Sequence, residues 1–100
     1  MAETHKISVE LSTDATLEVF KLEGFVISLT RTLDNTYRIA INNFPIEGDL
    51  DYFVHCSGWN KTTWTLKIFV DEKDVTVPPI SGIIEKGFSV DRGSIKLEGI

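Results

Sequence analysis

The chain offers few side chains for a nucleophile, a general base or a metal site. Its single cysteine, Cys56, directly follows His55, and the other histidine, His5, lies near the start of the sequence. Neighbouring residues on a strand point to opposite faces of a sheet, so His55 and Cys56 are not expected to act together in catalysis. One cysteine and two histidines are too few for a structural zinc site or a disulfide. The sequence therefore predicts a protein that is not an enzyme and that has no metal or cofactor.

Carboxylates cluster around one glycine in the middle of the chain. Glu47, Asp49 and Asp51 surround Gly48, but the oxygen ligands that Ca²⁺ requires are not evident, and we expect solvated loop residues. A second acidic run occupies residues 71–74. The two clusters allow one alternative function, a small acidic inhibitor or immunity-type protein that occupies the basic site of a partner.

The strongest candidate for a binding residue is Trp59, which is followed by Asn60 and Lys61 in a segment rich in turn residues. Loops on a rigid scaffold often carry binding residues, and an indole beside amide and ammonium groups suits a pocket on a partner protein. We therefore expect a non-enzymatic binding module that engages a protein partner. Lectin-like glycan binding by Trp59 with Asn60, Lys61 and Asp51 is the alternative, and in a third interpretation Trp59 folds back over the end of the core.

We expect Trp59 to lie at the tip of a β-hairpin. Apolar residues alternate on both sides of it, and one register that keeps both alternating faces in the core pairs Cys56 with Trp64. The outer face of this hairpin would bring two aromatic rings together with charged side chains, unless a loop such as Pro78-Pro79 covers them. The further candidate ligand-binding residues on that face are Phe53, His55, Lys67 and Phe69.

The same segment resembles a stretch of the aegerolysins, fungal and bacterial β-sandwich proteins that bind lipids. The resemblance covers residues 52–65 with shifted spacing, in a chain shorter than those of the family. It implies membrane-lipid binding as a further alternative for this surface. The residues that carry the resemblance are Tyr52, Cys56, Trp59, Lys61, Thr62, Trp64 and Thr65.

Apolar and polar residues alternate along most of the chain, and turn residues separate the alternating runs at short intervals. This pattern predicts a single all-β domain over residues 1–100, an antiparallel β-sandwich of immunoglobulin-like or jelly-roll-like form. A small closed β-barrel is the alternative. Asn35 suits a left-handed turn position, which predicts a hairpin with a loop at residues 34–36, and we also expect reversals at residues 71–74 and 91–94.

The composition restricts the partners. Of the 100 residues, 42% are apolar, and 10 Lys and Arg stand against 15 Asp and Glu, which gives a net charge of −5. Scattered cations in an acidic chain argue against nucleic-acid binding. No apolar run is long enough for a transmembrane segment and residues 1–5 do not resemble a secretory signal, so we expect a soluble, disulfide-free cytoplasmic protein. A homo-oligomer through an edge strand at residues 5–12 is a further expectation.

Overall fold

The computed structural model describes residues 3–97 and consists of β-strands without a helix in that range. Alternating apolar residues form the strands, because period-2 alternation buries one face of a sheet and leaves the other exposed. The strands are β1 (Glu3–Thr13), β2 (Thr16–Leu22), β3 (Phe25–Val26), β4 (Thr30–Arg31), β5 (Thr36–Ile46), β6 (Leu50–Ser57), β7 (Thr63–Val70), β8 (Lys73–Asp74), β9 (Ile80–Ile83) and β10 (Phe88–Ile95).

The strands form two antiparallel sheets that pack face to face. The six-stranded sheet has the order β4-β5-β1-β7. The short strands β8 and β9 pair with opposite ends of β7, along the edge that faces away from β1. The four-stranded sheet has the order β10-β6-β2-β3. The predicted antiparallel β-sandwich is therefore confirmed. Over residues 3–97 neither sheet closes on itself, so the barrel alternative is wrong.

The hydrophobic core lies between the two sheets and takes alternate residues from each long strand. The inward positions predicted for β1, β6 and β7 are buried, with Tyr52 only partly so. Removal of this apolar surface from water is the main favourable contribution to folding. The side chains with at most 1% exposure include Ile7, Val9, Leu11, Leu50, Val54, Cys56, Trp64, Leu66, Ile68 and Val70.

The predicted hairpin between β6 and β7 is wrong. Cys56 pairs with Ser89 in the four-stranded sheet, whereas Trp64 pairs with Thr13 in the six-stranded sheet. Residues 58–62 therefore cross from one sheet to the other. A hairpin and a crossover both bury the alternate residues of the two strands, so the hydrophobic pattern does not distinguish between them.

The long strands change sheet at every step along the chain. β1, β5 and β7 belong to the six-stranded sheet, and β2, β6 and β10 belong to the four-stranded sheet. β1 lies in the centre and pairs with β5 on one side and β7 on the other. Residues 7–12 are thus paired on both sides, so the expectation of an edge strand at residues 5–12 is wrong. Homo-oligomerisation itself stays a prediction.

Of the three predicted reversals, two are present and one is absent. The chain reverses between β4 and β5 at residues 33–35, one residue earlier than predicted, with Asn35 at a φ of 58° as expected. Asp71 and Glu72 form the tight reversal between β7 and β8, and both have positive φ. By contrast, residues 91–94 do not reverse the chain, because they continue β10 along its pairing with β6.

Candidate binding surface

The crossover loop at residues 58–62 is held by a second turn, residues 84–87, that lies against it. The Gly58 N–H donates to the Gly87 carbonyl (3.1 Å), and the Gly87 N–H donates to the side-chain oxygen of Asn60 (2.9 Å). Two more backbone hydrogen bonds join the segments, from Lys61 to Ile84 (2.7 Å) and from Ile84 to Thr62 (2.8 Å). These contacts order the loop before any partner arrives.

Trp59 projects from this loop into solvent with 88% of its surface exposed, so the interpretation in which it covers the core is wrong. The buried tryptophan is Trp64, at 1% exposure, whose indole N–H donates to Ser89 Oγ at 3.0 Å. Asn60 and Lys61 are exposed beside Trp59. An exposed indole on an ordered loop offers a large amphipathic contact area at low entropic cost.

The other four predicted site residues do not come together. Phe53 and His55 lie on the outer face of β6, and Lys67 and Phe69 lie on the outer face of β7. Because these strands belong to opposite sheets, the two pairs face away from each other on the two sides of the sandwich. The predicted patch that combines Phe53 with Phe69 is therefore wrong, and the cause is the mistaken hairpin.

The outer side of the four-stranded sheet is more apolar than the sequence predicts. Phe88 and Val90 of β10 are 51% and 49% exposed. Phe88 pairs with Ser57 and Val90 pairs with His55, so all four side chains share the outer face. The rings of His55 and Phe88 meet edge-on with centroids 6.3 Å apart. We call this surface the outer apolar face; its apolar side chains are Val19, Val26, Phe53, Phe88 and Val90.

The inward positions of β10 explain why the sequence misplaces its apolar residues. Ser89 accepts the hydrogen bond of the Trp64 indole, and Asp91 accepts one from the Tyr52 hydroxyl at 3.1 Å. Two polar residues therefore occupy core-facing positions, where they accept hydrogen bonds from the buried Trp64 indole and the partly buried Tyr52 hydroxyl. The alternation of the strand is correct, but nothing in the local sequence indicates that its polar side faces inward.

Phe53 lies between two cations at the end of the outer apolar face that is distant from Trp59. Lys21 pairs opposite it on β2, with its ammonium nitrogen 5.6 Å from the ring centroid, and Arg92 pairs opposite it on β10. Lys21 thus makes a cation–π contact with Phe53, and the exposed Arg92 adds a second positive charge beside the ring. A shallow depression of about 220 Å³ opens there, lined by Lys21, Gly24, Asp51, Tyr52, Phe53 and Arg92.

The groups considered for catalysis occupy structural positions. Cys56 is buried and His55 lies on the outer face, so the two side chains point to opposite sides of β6 as predicted. Burial raises the pKa of the Cys56 thiol to about 11, with a smaller effect of the Glu18 carboxylate, and this disfavours a reactive thiolate. In the described part of the chain, no group of three or more His, Cys, Asp and Glu side chains is placed to hold a metal ion.

His5 forms part of a contact that ties β1 to the turn between β7 and β8. Its Nδ1 lies 2.6 Å from Oδ2 of Asp71, and the Lys6 N–H donates to the same carboxylate at 3.0 Å. The hydrogen bond with His5 is the largest cause of the lowered pKa of Asp71. The contact with Asp71 therefore gives His5, the second histidine, a structural role.

Comparison of the chain with protein-family models, with curated proteins and with solved structures finds no match. The resemblance of residues 52–65 to the aegerolysins therefore has no family match to support it. The fold and the surface define the protein as an antiparallel two-sheet β-sandwich with an exposed aromatic loop at one end. Within residues 3–97 there is no helix with the length and apolarity to cross a membrane.

Proposed function

We propose that the protein is a non-enzymatic binding module that engages a protein partner through Trp59. The observation that carries the proposal is the 88% exposure of Trp59 on a loop that four hydrogen bonds hold in place. Tryptophan is among the residues that contribute most binding energy in protein interfaces, and an ordered loop reduces the entropy lost on binding.

The surroundings of Trp59 favour a protein over a sugar. A sugar site needs several free polar groups around the aromatic ring. The side-chain oxygen of Asn60 already accepts a hydrogen bond from the Gly87 N–H, and Asp51 lies at the far end of β6. Phe88 instead extends the apolar surface from the loop, because it pairs with Ser57 close to Trp59. Glycan binding, membrane-lipid binding and action as an acidic inhibitor remain alternatives that experiments can separate.

The direct test is capture of partners from the source cell lysate with wild-type protein and the Trp59→Ala variant. We expect Trp59→Ala to lose the partner and to keep the melting temperature of the wild type, since the side chain is exposed. Val77→Ala is the matched control, because Val77 is 80% exposed and belongs to the segment between β8 and β9, outside residues 58–62 and 84–87. Equal capture by Trp59→Ala and the wild type would show that the site is wrong.

Tryptophan emission distinguishes the alternatives. Trp64 is buried, so a ligand that stacks on the protein from solvent perturbs the emission of Trp59. We expect the emission of Trp59 to stay unchanged with the glycans of an array and with phosphatidylcholine and phosphatidylserine vesicles. A glycan or vesicle that shifts the emission of the wild type but not of Trp59→Ala would replace the protein partner with that ligand.

A further inference from the structure

β10 is the edge strand of the four-stranded sheet. On one side it pairs with β6, from Phe88 opposite Ser57 to Ile95 opposite Leu50. On the other side, Phe88 exchanges two backbone hydrogen bonds with Glu85, at 3.1 and 3.2 Å. Beyond Phe88, no strand among the described residues pairs with this side of β10.

The open side of β10 presents the backbone groups of Val90, Arg92 and Ser94. Backbone N–H and C=O groups alternate in direction along an antiparallel strand, and both groups of Phe88 point away from β6 toward Glu85. Every second residue after Phe88 therefore directs its N–H and C=O away from β6. A row of unpaired backbone groups is a template for another extended strand.

The side chains beside this open edge specify which strand fits. Phe88 and Val90, each about half exposed, lie toward the Trp59 end, and Arg92 lies beyond them next to Phe53. A strand that pairs with β10 places alternate side chains on the outer apolar face. Apolar side chains match Phe88 and Val90, and an acidic side chain matches Arg92.

We propose that β10 binds an extended segment of a partner protein by strand addition, with apolar residues beside Phe88 and Val90 and an acidic residue beside Arg92. Main-chain hydrogen bonds supply affinity in this mode of recognition, and the alternate side chains supply specificity. The inference rests on the proposed function in that the partner is a protein, and it adds the conformation and chemistry of the segment that is recognised.

Two registers in which a second copy of the chain could pair with this edge bring like charges together. Two-fold pairing of β10 with itself in a register centred on Asp91 places two aspartates opposite each other, and a register centred on Arg92 places two arginines opposite each other. Like charges directly across a strand pair are destabilising. A partner segment with a carboxylate beside Arg92 has the complementary charge.

The test uses a displayed library of ten-residue peptides selected against the wild-type chain. We expect the selected peptides to alternate apolar and polar residues and to contain an acidic residue. In hydrogen exchange, they should protect the amides of Val90, Arg92 and Ser94. The amides of Ser89 and Asp91 should be protected with and without peptide, because they point toward β6.

Two variants test the side chains. Val90→Lys places a charge on the apolar part of the edge, and Arg92→Glu reverses the charge that the acidic residue meets. We expect each change to lower the affinity of the selected peptides about tenfold or more, which is the effect of losing one good contact. Val77→Lys makes the same change at an exposed valine outside the edge and should leave binding unchanged. Thermal unfolding checks that each variant folds. If Val90→Lys does not fold, Arg92→Glu alone tests the proposal.

Three results would overturn strand addition: a library that yields no binding peptide, peptides unaffected by both variants, or protection of the edge amides that depends on protein concentration without peptide. The proposed function is tested separately. If Trp59→Ala loses the lysate partner while Val90→Lys and Arg92→Glu retain it and the peptides fail, only the edge site is wrong. If the peptides bind as expected while Trp59→Ala loses no partner, only the Trp59 site is wrong.

Discussion

The two tryptophans have opposite environments in the folded protein, since Trp59 is 88% exposed and Trp64 is 1% exposed. Trp64 continues the alternation of Leu66 and Ile68, and its predicted place in the core is confirmed. Trp59 stands outside any alternating run, and its exposure agrees with its selection as a candidate binding residue. The hydrogen bonds that order its loop come from residues 84–87, which are remote in sequence, so no local pattern indicates them.

The Cys56 thiol should be almost inert in the folded protein. Its pKa rises from 9.0 to about 11 because the side chain is buried, so the thiolate fraction at pH 8 falls about a hundredfold, before steric protection is counted. We expect Ellman's reagent to label the native protein at least that much more slowly than the protein unfolded in guanidinium. Equal rates would contradict the buried position.

The same raised pKa affects stability at high pH. The folded state holds the Cys56 proton more tightly than the unfolded state, so this contribution is complete below pH 9 and is lost as the pH rises toward about 11. A Cys56→Ser variant lacks this titration, so its melting temperature should fall less than that of the wild type over this range.

Asp34 stabilises the turn between β4 and β5 in its charged form. It accepts hydrogen bonds from the Thr32 hydroxyl and from two nitrogens of Arg38, at 3.1 and 3.2 Å. The Thr32 contact, followed by Arg38, lowers its pKa from 3.8 to about 2. Since the folded pKa is depressed, the stabilisation is present above pH 3.8 and is lost as the pH falls to about 2.

Replacement of the Asp34 carboxylate should therefore have a pH-dependent effect. We expect Asp34→Asn to lower the melting temperature by a few degrees at pH 7, and this difference should vanish near pH 2. Asp49→Asn, in the exposed loop before β6, serves as the control. A difference that persists unchanged at low pH would show that Asp34 acts without its charge.

At the scale of elements, the sequence determines which strands exist more clearly than which strands are neighbours. Period-2 alternation identifies β1, β6 and β7, and turn chemistry identifies the reversals at Asn35 and at residues 71–74. The sheet in which each strand lies depends on packing between remote segments. The crossover at residues 58–62 and the inward polar side of β10 were therefore not predictable from local patterns.

Close packing of Trp64 against β9 gives a test of the arrangement. A Cβ atom built on Gly82 lies 2.5 Å from the Trp64 ring, so the indole occupies the space of a side chain. We expect Gly82→Ala to destabilise the protein by about 1–3 kcal/mol, the usual range for overpacking. Urea unfolding followed by tryptophan emission measures this change. Ser81→Ala, at an exposed neighbour, should have little effect.

In the whole molecule, the acidic loops lie away from Trp59. The loop at residues 47–49 precedes β6 and the acidic run at residues 71–74 follows β7, whereas Trp59 lies where β6 ends and β7 begins. β6 has eight residues, and the length of such a strand is about 23 Å. This separation exceeds the Debye length of about 8 Å at physiological salt, so the acidic end has little influence on binding at the other end.

Salt dependence should therefore separate the two ends. We expect the affinity of a partner bound through Trp59 to change less than about threefold between low and high salt, because the contact is mainly apolar. Glu72→Gln should leave this affinity unchanged, since Glu72 belongs to the acidic end. A partner that dissociates steeply with salt and weakens with Glu72→Gln would support the acidic inhibitor instead. Titration calorimetry provides both measurements.

The alternation of long strands between the sheets also affects how the chain folds. Ile7 pairs with Ile41 and Val70, so the central strand is complete only after distant segments have met. Topologies with such remote pairings fold slowly, on the order of milliseconds to seconds. The loop that carries Trp59 acquires its shape only once residues 84–87, which are remote in sequence, have packed against it. A partner that recognises the ordered loop would therefore select completed molecules over folding intermediates.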